Sequence, residues 1–248
     1  IDKVGINDNF FELGGHSLLG MRVISSIRKN LESELAIKDL FTYPTIAELA
    51  IHLESQSKGI LLPAIEALAR PERIPLSFSQ ERLWFIDKFE GSVQYHIPAV
   101  LRFKGKLNAD ALEFALQSII NRHEVLRTVI LEEEGKGYQS VKDKDKWKIK
   151  IVDGSHYKEN AEGLHDYLRE LIVEPFKLSE DYMMRAHLVK ISEDDNVLVL
   201  TTHHISSDGW SSSVIVKELV ELYESFVKNR EADLKPLKIQ YADYAMWQ

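Results

Sequence analysis

Thr201-Thr202-His203-His204-Ile205-Ser206-Ser207-Asp208-Gly209-Trp210 closes an unbroken apolar run, Val197-Leu198-Val199-Leu200. Such a run is the signature of a strand buried on both faces. A helical pattern follows it, so the two histidines are expected at a strand's end. Adjacent strand residues point to opposite faces, which turns one imidazole to the interior and the other to whatever cleft lies beyond the sheet. Only one of them can then work as a base. Asp208-Gly209 is expected to turn the chain so that the aspartate folds back towards the strand end and orders the loop through its carboxylate. Ser211 to Ser213 are candidate caps for the next helix, whose apolar residues Ile215, Leu219, Leu222 and Phe226 recur at spacings of four, three and four.

Working back from that stretch, Pro75 to Ile86 reads as a capped amphipathic helix with an aromatic core face, and Asn108 as the cap of a helix burying Leu112, Ala115, Leu116, Ile119 and Ile120. In Arg122-His123-Glu124-Val125-Leu126-Arg127-Thr128 the period shifts towards two. A strand, a loop through Glu134-Gly135-Lys136-Gly137 and a second strand are expected to follow. Lys142 to Lys148 alternates charge around Trp147 and reads as a solvated edge. His156, His165 and His187 stand singly and read as surface or core residues rather than ligands.

The N-terminal stretch has a different texture. Asp8-Asn9 makes a turn, Phe10, Phe11 and Leu13 are bulky, Gly14-Gly15 breaks the chain, and a helix is expected from about Ser17 with Leu19, Val23, Ile27 and Leu31 as its buried stripe. Asp39-Leu40-Phe41 fits one short helical turn. Pro44 followed by Thr45-Ile46-Ala47-Glu48 is a capping box that opens another helix with Ile46, Leu49, Ala50 and Leu53 as its apolar face. Ser55 to Glu72 mixes polar residues with Ile60-Leu61-Leu62-Pro63-Ala64-Ile65; it is expected either to lie along the surface of the following domain or to form a short helix at Ala64 to Ala69.

With 248 residues and 44% hydrophobic content the chain suits two unequal domains. A formal charge of -8 argues against a nucleic-acid partner, which needs clustered Lys and Arg. There is no cysteine, so neither a disulfide framework nor a thiolate zinc site is available. No signal peptide and no apolar run of about 20 residues is present, so no membrane partner is expected and the expected compartment is the cytoplasm. A metal site built from His203, His204 and Asp208 is disfavoured, because neighbouring strand residues diverge and no further ligand cluster accompanies them.

Ser17 alone reads as a helix N-cap. The whole run Asp8 to Leu19, Asp-Asn-Phe-Phe-Glu-Leu-Gly-Gly-His-Ser-Leu-Leu, resembles the carrier signature of nonribosomal peptide synthetases. Ser77 to Trp84, Arg122 to Thr128, His203 to Trp210 and Tyr241-Ala242-Asp243-Tyr244-Ala245-Met246-Trp247 resemble, in the family's order, the first four motifs of the synthetases' condensation domains. Ser79 departs from the alanine common in the first motif, and Ser207 falls where a varied residue is tolerated.

The resemblance implies a multidomain chain: a small all-α peptidyl carrier at 1–55 that lacks its first helix, a linker at 56–72, and at 73–248 the N-terminal lobe of a condensation domain, an α/β lobe similar to chloramphenicol acetyltransferase. Both ends of the chain look cut. The carrier would hold a donor aminoacyl or peptidyl thioester on 4'-phosphopantetheine attached to Ser17, where a helix N-terminus suits a phosphodiester. The intact condensation domain would form a peptide bond with an acceptor amine, whereas this stretch alone would be inactive. His204 is implied as the residue that takes the amine's proton or holds the nucleophile, and His203 as an ordering residue. Asp208 is implied as an electrostatic and conformational support, and Gly209 as a point of close backbone approach. The implied partners are a phosphopantetheinyl transferase, an upstream adenylation domain, a downstream acceptor carrier and the C-terminal lobe of the condensation domain. Two other readings are a non-catalytic carrier-plus-docking fragment and an epimerisation domain of the same superfamily. Trp210-Ser211 after the glycine and His16 in the carrier signature favour condensation over epimerisation, and relatives that form heterocycles replace the histidine pair.

Overall fold

The structure is a computed structural model that describes residues 3–31, 33–55 and 63–248. It divides into two compact units, Ile1–Ala64 and Ile65–Gln248.

In the smaller unit three helices follow one another: α1 (Ser17–Leu31), α2 (Ile37–Thr42) and α3 (Ile46–Ser55). The start of α3 is written locally. Glu48 N–H donates to Thr45 Oγ1 at 3.2 Å and Thr45 N–H to the Glu48 carboxylate at 3.3 Å, the reciprocal bonds of a capping box. Asn9 likewise holds the turn before α1, its side-chain oxygen accepting from Phe11 N–H at 2.9 Å. Gly14 has φ +90°, and a Cβ on Gly15 would meet the Phe10 carbonyl at 2.3 Å, so both glycines are needed by the backbone that leads into Ser17. The core is Ile24, Leu35, Leu40 and Leu49, with Phe10, Phe11 and Ile27 against it. The stripe expected on α1 is therefore rotated. Ile24 is buried, while Leu31 is 60% exposed and Leu19 and Val23 line an open groove, because α2 and α3 pack on the adjoining face. On α3, Leu49 is buried and Leu53 half-buried, but Ile46 and Ala50 face outward.

The larger unit begins with an extended segment. Residues 64–69 form no helix; Leu68 N–H donates to Asp243 Oδ1 at 3.2 Å and Arg70 bridges Glu124 and Asp243. Ile60, Leu61 and Leu62 lie outside the described residues. The elements that follow are β1 (Ile74–Pro75), α4 (Phe78–Glu90), β2 (His96–Lys104), α5 (Ala109–Arg122), β3 (Thr128–Glu133), β4 (Lys136–Val141), β5 (Lys150–Asp153), α6 (Ala161–Val173), β6 (Met184–Ser192), β7 (Asp195–His203), α7 (Gly209–Val227) and α8 (Tyr241–Trp247). One sheet has the order β1-β4-β3, the other β2-β7-β6-β5; among the described residues only the β5–β6 pair is parallel.

β7 is the buried strand that its apolar run predicts, flanked by β2 and β6. Its alternation serves two layers. Leu198 and Leu200 pack with Met184, Ala186 and Leu188 against α5 and α7, while Val197 and Val199 pack with Val189 and Ile191 against α6. On α5 all five expected residues are buried, and Asn108 caps the helix through Ala111 N–H at 3.0 Å. Burying one leucine or isoleucine at these positions contributes about 2 kcal/mol. Between Arg122 and Thr128 the chain makes a short 3-10 turn, Glu124–Arg127, and β3 and β4 are joined by only Glu134 and Gly135, both with positive φ.

In two places a remote partner overrides the local pattern, although Asp143 to Lys146 and Lys148 are exposed as a solvated edge requires. Trp147 is 5% exposed and donates Nε1–H to the Met184 carbonyl at 2.9 Å, so the charged edge around it is folded over a core residue. On α4 the aromatic side is not the core side. Phe78, Phe85 and Phe89 are exposed and Trp84 is half-buried, whereas Gln80 is 2% exposed because it closes a capping box with Ser77 and meets Gln139 of β4.

Candidate active site

The parity of β7 carries through to its end. His203 shares the side of Val197 and Val199, and it pairs across the sheet with His96 of β2, their ring centroids 5.9 Å apart. It is fully buried. His204 shares the side of Leu198 and Leu200, is exposed, and lines a cavity of about 830 Å³. The two-faced expectation therefore holds, and the cavity residue is His204.

The hydrogen bonds define what each ring can do. The carbonyl of Ser207 only accepts, so His204 Nδ1, 2.7 Å away, carries a proton and donates it. In the neutral ring His204 Nε2 is then a lone pair, and it has no hydrogen-bond partner among the described residues. His203 is the reverse: its Nδ1 accepts Ile205 N–H at 3.0 Å and its Nε2 lies 2.9 Å from Ser92 Oγ. Burial, with smaller contributions from His96, His204 and Arg185, pulls the His203 pKa down to about 4. A buried neutral ring with both nitrogens engaged is a structural element, not a proton carrier at neutral pH.

Asp208 does not fold back onto the strand end. It is the N-cap of α7, its Oδ1 accepting Ser211 N–H at 2.8 Å and Ser211 Oγ–H at 2.7 Å. Burial alone would raise its carboxyl; the Ser211 and Trp210 donors outweigh that and hold it below its ordinary value. Ser211 is thus the third-position partner of the cap, not the cap. Gly209 starts the helix, and a Cβ there would meet nothing within 4 Å, so the described chain imposes no close approach at that point. Ser207 is more than a tolerated variation: besides holding His204, it donates Oγ–H to Thr202 Oγ1 at 2.8 Å.

Around His204 the cavity gathers Ser79 and Arg82 of α4, His123 and Val125, Ser207 and Asp208, and Tyr241 and Tyr244 of α8. These come from the four separate stretches singled out in the sequence. Direct bonds tie them: Ser77 Oγ to Tyr241 Oη at 2.9 Å, Phe78 N–H to Gln248 at 3.1 Å and Glu124 N–H to Gln240 at 3.1 Å. Sequence reasoning passed over Glu218. This buried carboxylate of α7 accepts from Arg122 Nε at 3.0 Å and lies 2.7 Å from His123 Nε2. Burial pushes Glu218 up and its His123 and Arg122 partners more than reverse that. The signal available was a glutamate in the apolar phase of α7, one residue before Leu219.

In the smaller unit Ser17 is the first residue of α1 and is exposed, and the first helical turn carries no acidic side chain. A phosphodiester fits there, since free N–H groups and the positive end of the helix face it and no carboxylate repels it. No helix among the described residues is long and apolar enough to cross a membrane, and no group of three or more His, Asp or Glu among them is placed to hold a metal ion.

Residues 71–248 match the family described as "Condensation domain" and residues 1–53 the one described as "Phosphopantetheine attachment site". The chain is 43% identical over 248 residues to a "Dimodular nonribosomal peptide synthase" of Bacillus subtilis (strain 168), covering 99% of this chain and 10% of that protein. It is 38% identical over 249 residues to "Gramicidin S synthase 2" of Brevibacillus brevis, covering 100% of this chain and 5% of that protein. It thus spans a tenth or less of these curated relatives. Among solved structures it resembles the X-domain in "Complex of the X-domain and OxyB from Teicoplanin Biosynthesis" (TM-score 0.67, 34% identity, 75% of this chain and 40% of that one). It also has the fold of the "First condensation domain of the calcium-dependent antibiotic synthetase in complex with substrate analogue 2a" (TM-score 0.59, 20% identity, 67% of this chain and 41% of that one).

Proposed function

The chain belongs to the condensation-domain family, with a phosphopantetheine attachment site ahead of it, and from that membership we propose that it is the donor-carrier and N-terminal condensation lobe of a nonribosomal peptide synthetase. In this reading residues 1–55 are the carrier, 56–72 the linker and 73–248 the lobe. 4'-Phosphopantetheine, the family's cofactor, is held on Ser17 and supplies the thiol that carries an acyl group as a thioester.

His204 does the proton work. As an acceptor amine attacks the donor carbonyl, His204 Nε2 takes one proton from the nitrogen; the C–N bond forms, the C–S bond breaks, and the proton passes to the departing thiolate. Ser207 keeps the ring in the tautomer that leaves Nε2 basic, and Asp208 anchors α7 beside it. Supporting this above all is the one-directional bond from His204 Nδ1 to the Ser207 carbonyl at the cavity where the four stretches meet.

A phosphopantetheinyl transferase would load Ser17, an upstream adenylation domain would supply the acyl group, and a downstream carrier would bring the amine. The matched stretch makes up 40% of the solved X-domain chain, which fits a C-terminal lobe closing the cavity from the other side. Without that lobe two thioesters are not held at attacking distance, and most of the positioning advantage is lost.

A non-catalytic docking role is the second reading, favoured by the 34% identity to an X-domain solved with OxyB. One experiment separates the two. In the intact synthetase, with both carriers preloaded, His204→Ala is expected to abolish single-turnover amide formation while Ser17 loading, read by intact mass, is unchanged. Ser17→Ala is expected to gain no pantetheine mass. A fully active His204→Ala enzyme refutes the catalytic assignment; an unmodified wild-type Ser17 beside a modified control carrier refutes the carrier.

A further inference from the structure

The histidine turned away from the cavity is held by a hydrogen-bond chain whose direction has a single solution. His203 Nδ1 accepts the Ile205 N–H at 3.0 Å, which only an unprotonated nitrogen can do. The proton of the neutral ring is therefore on Nε2, and Ser92 Oγ, 2.9 Å away, accepts it. Ser92 must then give its own hydroxyl proton elsewhere, and it gives it to the carboxylate of Asp87. Asp87 lies in the last turn of α4 and Ser92 follows Gly91, whose φ of +73° ends that helix and turns the chain back under His203. Ser92 is 3% exposed and His203 0% exposed, so water does not substitute for the link between them, while Asp87 at the outer end is half-buried.

We infer that Ser92 and Asp87 are positioning residues for His204, acting by locking His203 in its Nε2–H tautomer. Ile205 directly follows His204, and its N–H is the one His203 holds, so the peptide joining 204 to 205 is clamped from the interior side. Were the ring to adopt the other tautomer, Nδ1–H would face Ile205 N–H, two donors in contact. The peptide would rotate and carry the His204 ring with it, although Ser207 still held Nδ1. The ionisable groups around His203 are His96 across the sheet, His204, Asp87 through Ser92, and Arg185, whose guanidinium lies 3.9 Å over the Phe176 ring that contacts both His203 and the half-buried His96. Asp87 is thus the anion at the end of the proton-donating chain.

The kinetic part of this inference rests on His204 being the working base; the tautomer part does not. The first measurement is long-range 1H–15N correlation on the 15N-histidine-labelled 248-residue chain, with His203 assigned through His203→Gln. His203 is expected as the neutral Nε2–H tautomer from pH 8 down to pH 5. In Ser92→Ala its two nitrogens should move towards averaged shifts, and Ser92→Thr should restore the wild-type pattern. In the intact synthetase, Ser92→Ala should lower the single-turnover rate constant about 10- to 100-fold, the scale of a misplacement approaching 1 Å. The acceptor KM should stay within about twofold, with recovery in Ser92→Thr. If Ser92→Ala does not fold by its tryptophan fluorescence melt, Asp87→Ala decides, with the same shift and loss in smaller degree. An unchanged tautomer, or a changed tautomer with an unchanged rate, overturns the inference. If His204→Ala is itself active, the catalytic reading falls while the tautomer result still stands or fails by itself.

Discussion

Replacing Asp208 tests whether this aspartate works mainly as a helix cap, as its bonds to Ser211 imply, or as a charge partner of His204. Asp208→Ala removes the acceptor of Ser211 N–H as well as the charge. Loss of a side-chain N-cap costs about 1 kcal/mol. Loss of a negative charge from a helix N-terminus adds about 0.3–0.5 kcal/mol, the low end of the range because Asp208 is exposed. Asp208→Asn keeps an oxygen at the cap and loses only the charge, about 0.3–0.5 kcal/mol. For a unit the size of residues 65–248, 1 kcal/mol corresponds to about 2–4 °C in Tm, so alanine should lower Tm by about 3–6 °C and asparagine by about 1–2 °C.

The assay is convenient because Trp84, Trp147, Trp210 and Trp247 all lie in the larger unit, so tryptophan fluorescence follows its unfolding alone. The pH dependence adds a second check. The folded carboxyl is held below its ordinary 3.8, so its stabilisation is fully present above that value and is lost as the pH falls through the lowered one. The gap between wild type and Asp208→Asn should therefore be constant near neutrality and close in acid. Equal destabilisation by asparagine and alanine would refute the capping account, and so would an alanine variant that melts like wild type.

Trp147→Phe should lower the urea midpoint by an amount equivalent to about 1–3 kcal/mol, because it strands the buried Met184 carbonyl; a neutral effect would mean water reaches that carbonyl. Glu218→Gln should cost about 3 kcal/mol, since Arg122 and His123 lose a buried anion. With the folded Glu218 carboxyl below its ordinary 4.5, that contribution is present above this value and lost in acid, so the two proteins should converge on acid titration. Thr45→Ala should weaken the smaller unit by about 1 kcal/mol, seen as faster amide exchange at the start of α3 with no change in the tryptophan melt.

What was readable in the sequence is what short-range geometry decides. Asn108 and Thr45 find their donors three residues on, so their caps need no knowledge of the fold. The Val197–Leu200 run demands cover on both faces wherever it sits, and strand parity alone separates His203 from His204. The resemblance to carrier and condensation motifs was carried by consecutive residues, and the family matches fall on those same stretches. Tertiary structure decided what depends on remote neighbours. Trp147 is buried because Met184 offers it a carbonyl, Gln80 because Gln139 stands opposite, and the aromatic side of α4 faces outward as a consequence. Ser92 carries no local pattern; its role arises because Gly91 turns it under a ring 111 residues away. Glu218 likewise becomes intelligible only when α5 lays Arg122 and His123 against α7. A side chain's propensity and spacing are properties of its own segment, whereas the partner that satisfies a buried polar atom is chosen by the packing of other segments against it.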